Sequence, residues 1–191
     1  ATAMWALALA AATSPRPRRP LLAGLGTSLA IAIRPNLLPL GVVIGLFLLA
    51  RPGRPASVRW RDAVAYALAS VPGCLFVAGV QTVFFGSPFR SGYGSLDALF
   101  AWGHVPDNAR RYAAWMTASH SWVWLLAVAG VVAAPTAVTA LLVAVVLVTV
   151  ALYLPYTVFN DWWYLRFLLP GVACAVVLGC VGVHGLLGWL A

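Results

Sequence analysis

Long apolar runs, cut at short intervals by loops whose charges are almost all arginine, leave this chain few ways to fold. The sequence is 63% hydrophobic and 8% charged. A soluble domain needs a charged exterior, which four acids and twelve bases cannot supply over 191 residues. All twelve bases are arginine, and there is no lysine or glutamate. The net charge of +8 would point to nucleic acid in a soluble protein. Here the arginines sit between apolar runs, so membrane orientation accounts for most of them and no nucleic-acid partner is expected.

The runs predict an all-α, polytopic transmembrane bundle of about seven spans. These are residues 1–12, 21–33, 37–50, 62–85, 121–133, 137–154 and 167–190. The first is incomplete, and residues 1–191 read as one transmembrane domain cut from a longer protein. The second and third runs are short of the ~20 residues a span needs, so they form a hairpin turning at Arg34-Pro35-Asn36. Seven of the twelve arginines (Arg16, Arg18, Arg19, Arg51, Arg54, Arg59 and Arg61) fall in two loops on one side of this hairpin. That side is assigned to the cytoplasm. Asp62 is expected to cap the fourth span, and Pro72-Gly73 to kink it. Gly41 and Gly45 have the spacing that lets helices approach closely, as do Gly171, Ala175 and Gly179.

Residues 86–121 form the one long polar stretch, an outer loop with short interfacial helices. It opens on the turn cluster Gly86-Ser87-Pro88-Phe89-Arg90-Ser91-Gly92-Tyr93-Gly94. Ser95 is expected to cap one helix, with Asp97 in its first turn, and Pro106-Asp107-Asn108 to start a second. On the second, Tyr112, Trp115 and Met116 share a face. Trp122 and Trp124 read as interface anchors. A further outer segment, residues 156–166, carries Asn160 or Asp161 as the cap of a helix beginning at Trp162-Trp163.

No phosphate loop, nucleophile elbow or metalloprotease motif is present. No catalytic residue is identified; Asp161 is the weak candidate among the acids, and helix capping is the default explanation for it. Five arginines depart from the charge bias: Arg34, Arg90, Arg110, Arg111 and Arg166. A guanidinium is a planar fork suited to bidentate phosphate binding, so several could hold a lipid phosphate. Snorkelling to headgroups, or pairing with Asp97, Asp107 and Asp161, is the alternative. Tyr93, Trp102, Trp115, Trp162, Trp163 and Tyr164 could stack on a sugar or simply belong to an interface belt. Cys180 and His184 share a helix face, but no spacing matches a metal site.

Three motifs, in this order, resemble the GT-C superfamily of membrane glycosyltransferases. They are the hairpin turn Arg34-Pro35-Asn36, the loop from Gly86 to Gly94, and Tyr164-Leu165-Arg166-Phe167-Leu168-Leu169-Pro170. The nearest types are bacterial relatives of protein O-mannosyltransferases and of the aminoarabinose transferases of lipid A. The resemblance implies inverting transfer of a sugar from a polyprenyl-phosphate donor to a lipid, glycan or protein acceptor on the outer face of the bacterial plasma membrane. It implies a donor-phosphate site at Arg34, Arg166 and Arg90, with Asn36, Tyr93, Trp163 and Tyr164 lining the cavity. The family's catalytic acid lies in an early outer loop, expected upstream of residue 1. No organic cofactor is implied, and a divalent metal is left open. A transporter or flippase of lipid-linked precursors and a non-catalytic membrane scaffold are the rival readings. Every Arg and Asp falls at a span end, which weighs against a transporter.

Overall fold

Long apolar runs satisfy their backbone most simply by helix, and the computed structural model of the chain follows that rule. It describes residues 1–92, 99–121 and 123–190. The fold is all-α, 82% helical, with no strand among the described residues. Two helices are long and apolar enough to cross a membrane: Ala56–Phe85, and the continuous run Trp162–Gly188. The remaining expected spans are shorter helices. Tyr93, Gly94, Ser95, Leu96, Asp97 and Trp122, and with them the expected start of the first interfacial helix, lie outside the described residues.

The chain forms two compact units, Ala1–Ala98 and Leu99–Ala191. The first holds α1 (Thr2–Thr13), α2 (Arg19–Ile33), a 3-10 turn (Pro35–Leu37), α3 (Leu38–Ala50) and α4 (Ala56–Phe85). α2 is its centre and packs on both α1 and α4. Trp5, Leu37, Leu40, Ile44 and Leu48 are fully buried. A 3-10 turn joins α2 to α3 where the turn Arg34-Pro35-Asn36 is expected, with Arg34 closing α2, and both helices pack on α4.

Asp62 does not cap α4. The helix begins six residues earlier, after Pro55, because nothing between Ala56 and Val71 breaks it. Asp62 is therefore in the second turn, 6% exposed, with Arg54 at 3.8 Å and Arg61 at 3.6 Å. Arg51 donates to the carbonyls of Ala12 (3.2 Å), Thr13 (2.8 Å) and Ser14 (3.0 Å). Arg54 donates to Pro15 at 2.6 Å. These bonds close the C-terminal end of α1, whose last carbonyls have no partner within the helix. α4 continues through Pro72. The tightest helix approach involves Gly24 and Gly73, not Gly41 and Gly45. A Cβ on Gly24 would strike the Tyr66 carbonyl oxygen, and one on Gly73 the Ser28 carbonyl. Gly41 instead makes room for the Thr27 methyl and the Tyr66 hydroxyl, and Gly45 for the Tyr66 ring.

The second unit holds a 3-10 turn (Trp102–His104), α5 (Val105–His120), a 3-10 turn (Val123–Leu125), α6 (Leu126–Ala133), α7 (Ala137–Tyr153), a 3-10 helix (Trp162–Leu168) and α8 (Leu169–Leu190). The expected span 121–133 is only eight residues of α-helix. Ser121 ends α5 at a positive φ of 53°. Thr136 caps α7, accepting from the Thr139 amide at 3.1 Å. α8 packs on α6 and α7. Of the expected glycine seam, Gly171 meets Thr149 of α7, while Gly179 has ordinary clearance. The closest passage is between Gly130 and the Leu178 carbonyl, and around Gly182.

Candidate functional site

The second unit contains one dense polar and aromatic corner, where α7 ends and the chain runs into Trp162–Leu168. Segment 99–112 clamps it from one side. Asn108, 1% exposed, donates through Nδ2 to the carbonyls of Tyr156 (2.6 Å), Leu154 (2.9 Å) and Tyr153 (3.4 Å). Ala101 donates to the Pro155 carbonyl at 2.8 Å, and Thr157 to that of Leu99 at 2.8 Å. His104 Nδ1 lies 3.2 Å from the Pro155 oxygen. The last carbonyls of a helix need partners, and here a second segment provides them.

Onto this corner the aromatic rings stack. Tyr153 lies parallel to Phe167, centroids 5.1 Å apart, and Tyr156 meets both edge-on. Phe159 stacks on Tyr164 at 3.9 Å. Residues 162–168 wind as a 3-10 helix where an α-helix is expected. In a 3-10 helix residues three apart eclipse, which places Tyr164 beside Phe167 at 5.6 Å. The Arg166 guanidinium carbon is 5.3 Å from the Tyr164 centroid and 5.8 Å from that of Phe167. Both are within cation–π range. Arg166, Trp162 and Trp163 are exposed beside this ledge.

Asp161 occupies the N-cap position with extended backbone, but its carboxylate makes no capping bond, contrary to expectation. A cap serves the free amides of an α-helical first turn, and the tighter winding here presents them differently. Asp161, Trp163, Tyr164 and Arg166 thus share one short segment. Arg34, half-buried, and Asn36, exposed, belong to the α2–α3 turn of the first unit. Arg90, exposed, follows α4 in a turn whose amide donates to Ser87 at 3.2 Å. Tyr93 is outside the described residues. Arg110 pairs with Asp107 at 3.6 Å, an exposed i,i+3 contact. That favours the pairing alternative for this arginine.

No protein-family model, curated protein or solved structure matches this chain.

Sequence reasoning missed two features. The first is Asn108 as a clamp, since its partners lie 45 to 48 residues away. The second is an apolar cavity of about 550 Å³ in the second unit, lined by Met116, His120, Trp124, Val176, Cys180 and His184 among others. Among the described residues no group of three His, Cys, Asp or Glu could hold a metal ion.

Tyr112, on α5, is buried against the same corner, its hydroxyl 3.4 Å from the Tyr153 carbonyl. Burial, then the neighbouring phenols of Tyr153 and Tyr156, pushes its ionisation up to about 12. The folded state therefore holds this proton more tightly than the unfolded chain, where a tyrosine ionises near ~10. Its contribution is complete below pH ~10 and is lost as pH rises from ~10 to ~12. Thermal melts across that window are expected to fall more steeply for the wild type than for Tyr112→Phe. Equal slopes would mean the phenol is not enclosed.

Proposed function

We propose that the chain is a multi-pass membrane protein forming the donor-phosphate side of a glycosyltransferase. The reaction is transfer of a sugar from a polyprenyl-phosphate carrier to a lipid, glycan or protein acceptor at the outer face of a bacterial plasma membrane. The membrane part is supported by exposure. In the two spanning-length helices only 22% and 33% of the most apolar window is buried within the protein. Leu68, Leu75, Val83 and Phe84 all face outward on α4. Apolar surface this extensive is stable only against lipid or another protein.

The observation that carries the transferase reading is the Arg166 ledge. A guanidinium lies over two rings, at the head of a spanning helix, flanked by two exposed tryptophans. Such a group suits a phosphate at headgroup depth, while the adjacent indoles offer faces for a sugar. Arg34 and Arg90 are further phosphate-binding candidates in this reading. Their roles rest on the order of the three motifs.

The test is turnover of a polyprenyl-phosphate-linked sugar by membranes containing the full-length protein. Arg166→Ala is expected to lower turnover about tenfold, the effect of one charge-assisted hydrogen bond. Arg166→Lys keeps the charge and loses the fork, so it should recover only part of this. Membrane insertion should be unchanged in both. Wild-type turnover in Arg166→Ala would remove the phosphate role.

A further inference from the structure

The cytoplasmic arginines of the first unit are more than a topology signal. Orientation needs only positive charge somewhere in a loop, and lysine would serve as well. Here Arg51 and Arg54 are used inside the fold: their bonds to the Ala12–Pro15 carbonyls fasten the first basic loop to the second. The two loops so joined carry seven arginines, and beside them is one carboxylate, the buried Asp62, already engaged by Arg54 and Arg61. Crowding leaves a trace at Arg51, whose ionisation is lowered by burial first and by the charge of Arg54 second.

Arg16, Arg18 and Arg61 are exposed, and Arg19 and Arg59 are half-buried. The Arg59 Nε is enclosed without a hydrogen-bond partner in the protein. Between Arg59 and Arg61 stands Trp60, 63% exposed.

Depth identifies the partner. α4 has 30 residues, so it is ~45 Å long, against a hydrocarbon core of ~30 Å. Its apolar part, from Ala63 on, already spans that core. The first two turns, with Arg59, Trp60 and Arg61, therefore lie among the headgroups, where an indole is favoured and where the anions are lipid phosphates. We infer that this basic end of the first unit is a binding surface for anionic phospholipid, recognised through its phosphate. The inference rests on the membrane reading above and is independent of the transferase reading.

The experiment is native mass spectrometry of the full chain released from micelles of equimolar phosphatidylglycerol and phosphatidylcholine. The wild type is expected to retain phosphatidylglycerol about fivefold over phosphatidylcholine. In Arg16→Gln/Arg18→Gln/Arg59→Gln/Arg61→Gln the ratio should fall to about one, while Arg110→Gln, at an exposed arginine paired with Asp107, keeps the wild-type ratio. If the fourfold variant does not fold, Arg16→Gln/Arg18→Gln, both at exposed loop positions, should still lower the preference about twofold. No preference in the wild type, or a preference that survives these changes, overturns the proposal. So does displacement of the lipid by inorganic phosphate at equal phosphorus concentration, which would indicate a free-anion site. Flotation with phosphatidylcholine vesicles separates the two readings. A chain that floats without headgroup preference refutes only the lipid site, whereas one that fails to float refutes the membrane reading as well.

Discussion

Gly73→Ala is expected to destabilise the first unit by about 3 kcal/mol, with Gly73→Leu preventing its assembly altogether. A Cβ at this position would sit inside the Ser28 backbone, with the carbonyl carbon at 2.7 Å and the Cα at 2.8 Å. Those are main-chain atoms of α2 and cannot swing aside as a side chain would. Relief requires α2 and α4 to separate. That separation would break the buried Thr27–Tyr66 hydroxyl contact (3.1 Å) and lengthen the bond from Ser70 to the Gly24 carbonyl (3.4 Å). Gly24 makes the reciprocal approach, so the seam is tight on both helices. Overpacking of a close interface costs ~1–3 kcal/mol, and backbone displacement puts this site at the upper end. At ~2–4 °C per kcal/mol for a chain of this size, the melting temperature should fall by roughly 6–12 °C. Gly79 is the internal control. It lies on the same helix, and a Cβ added there would meet nothing within 4 Å, so Gly79→Ala should be neutral or slightly stabilising through helix propensity. Circular-dichroism melts in detergent measure all three. Wild-type melting of Gly73→Ala would mean that the helices do not meet at this seam.

The same seam indicates what could be read in advance. Helix limits were legible where a breaker is local, at Pro35 and at Gly86. The close-approach glycines were not, because Gly41 and Gly45 have the right spacing but face a side chain. Gly24 with Ser28, and Ala69 with Gly73, carry the same small-residue spacing and do face backbone. Spacing selects candidates, and the partner helix decides among them. Asp62 was misplaced for a related reason: the start of α4 depends on Pro55, not on the first acid before the apolar run. The arginine-aromatic ledge was legible as a cluster of residue types. Its 3-10 winding was not, since that depends on rings contributed by Tyr153, Tyr156 and Phe159. The clamps made by Arg51 and Asn108 act across 37 to 48 residues, beyond any local pattern.

Asn108→Leu is the second large effect expected, about 3 kcal/mol lost from the second unit. The substitution nearly conserves volume but removes both Nδ2 hydrogens, leaving the Leu154 and Tyr156 carbonyls enclosed without that donor. Each buried acceptor that loses its donor costs ~1–3 kcal/mol. Asn108→Asp separates hydrogen bonding from shape. At neutral pH it would aim a carboxylate at carbonyl oxygens, in a site with almost no water, so its ionisation must rise well above the ordinary ~3.9. With the folded value raised, the variant is most stable when protonated and weakens as pH rises through that value. It should therefore melt like Asn108→Leu at pH ~8 and recover part of the loss toward pH ~5, where the acid again has a proton to donate. Because this corner carries Tyr153 and Tyr156 beneath Phe167, loosening it should also disturb the ledge that holds Arg166. Donor turnover by Asn108→Leu should then fall even at temperatures where the protein remains folded. A variant that melts and turns over like the wild type would show that the α7 carbonyls find other partners, and that the corner does not depend on α5.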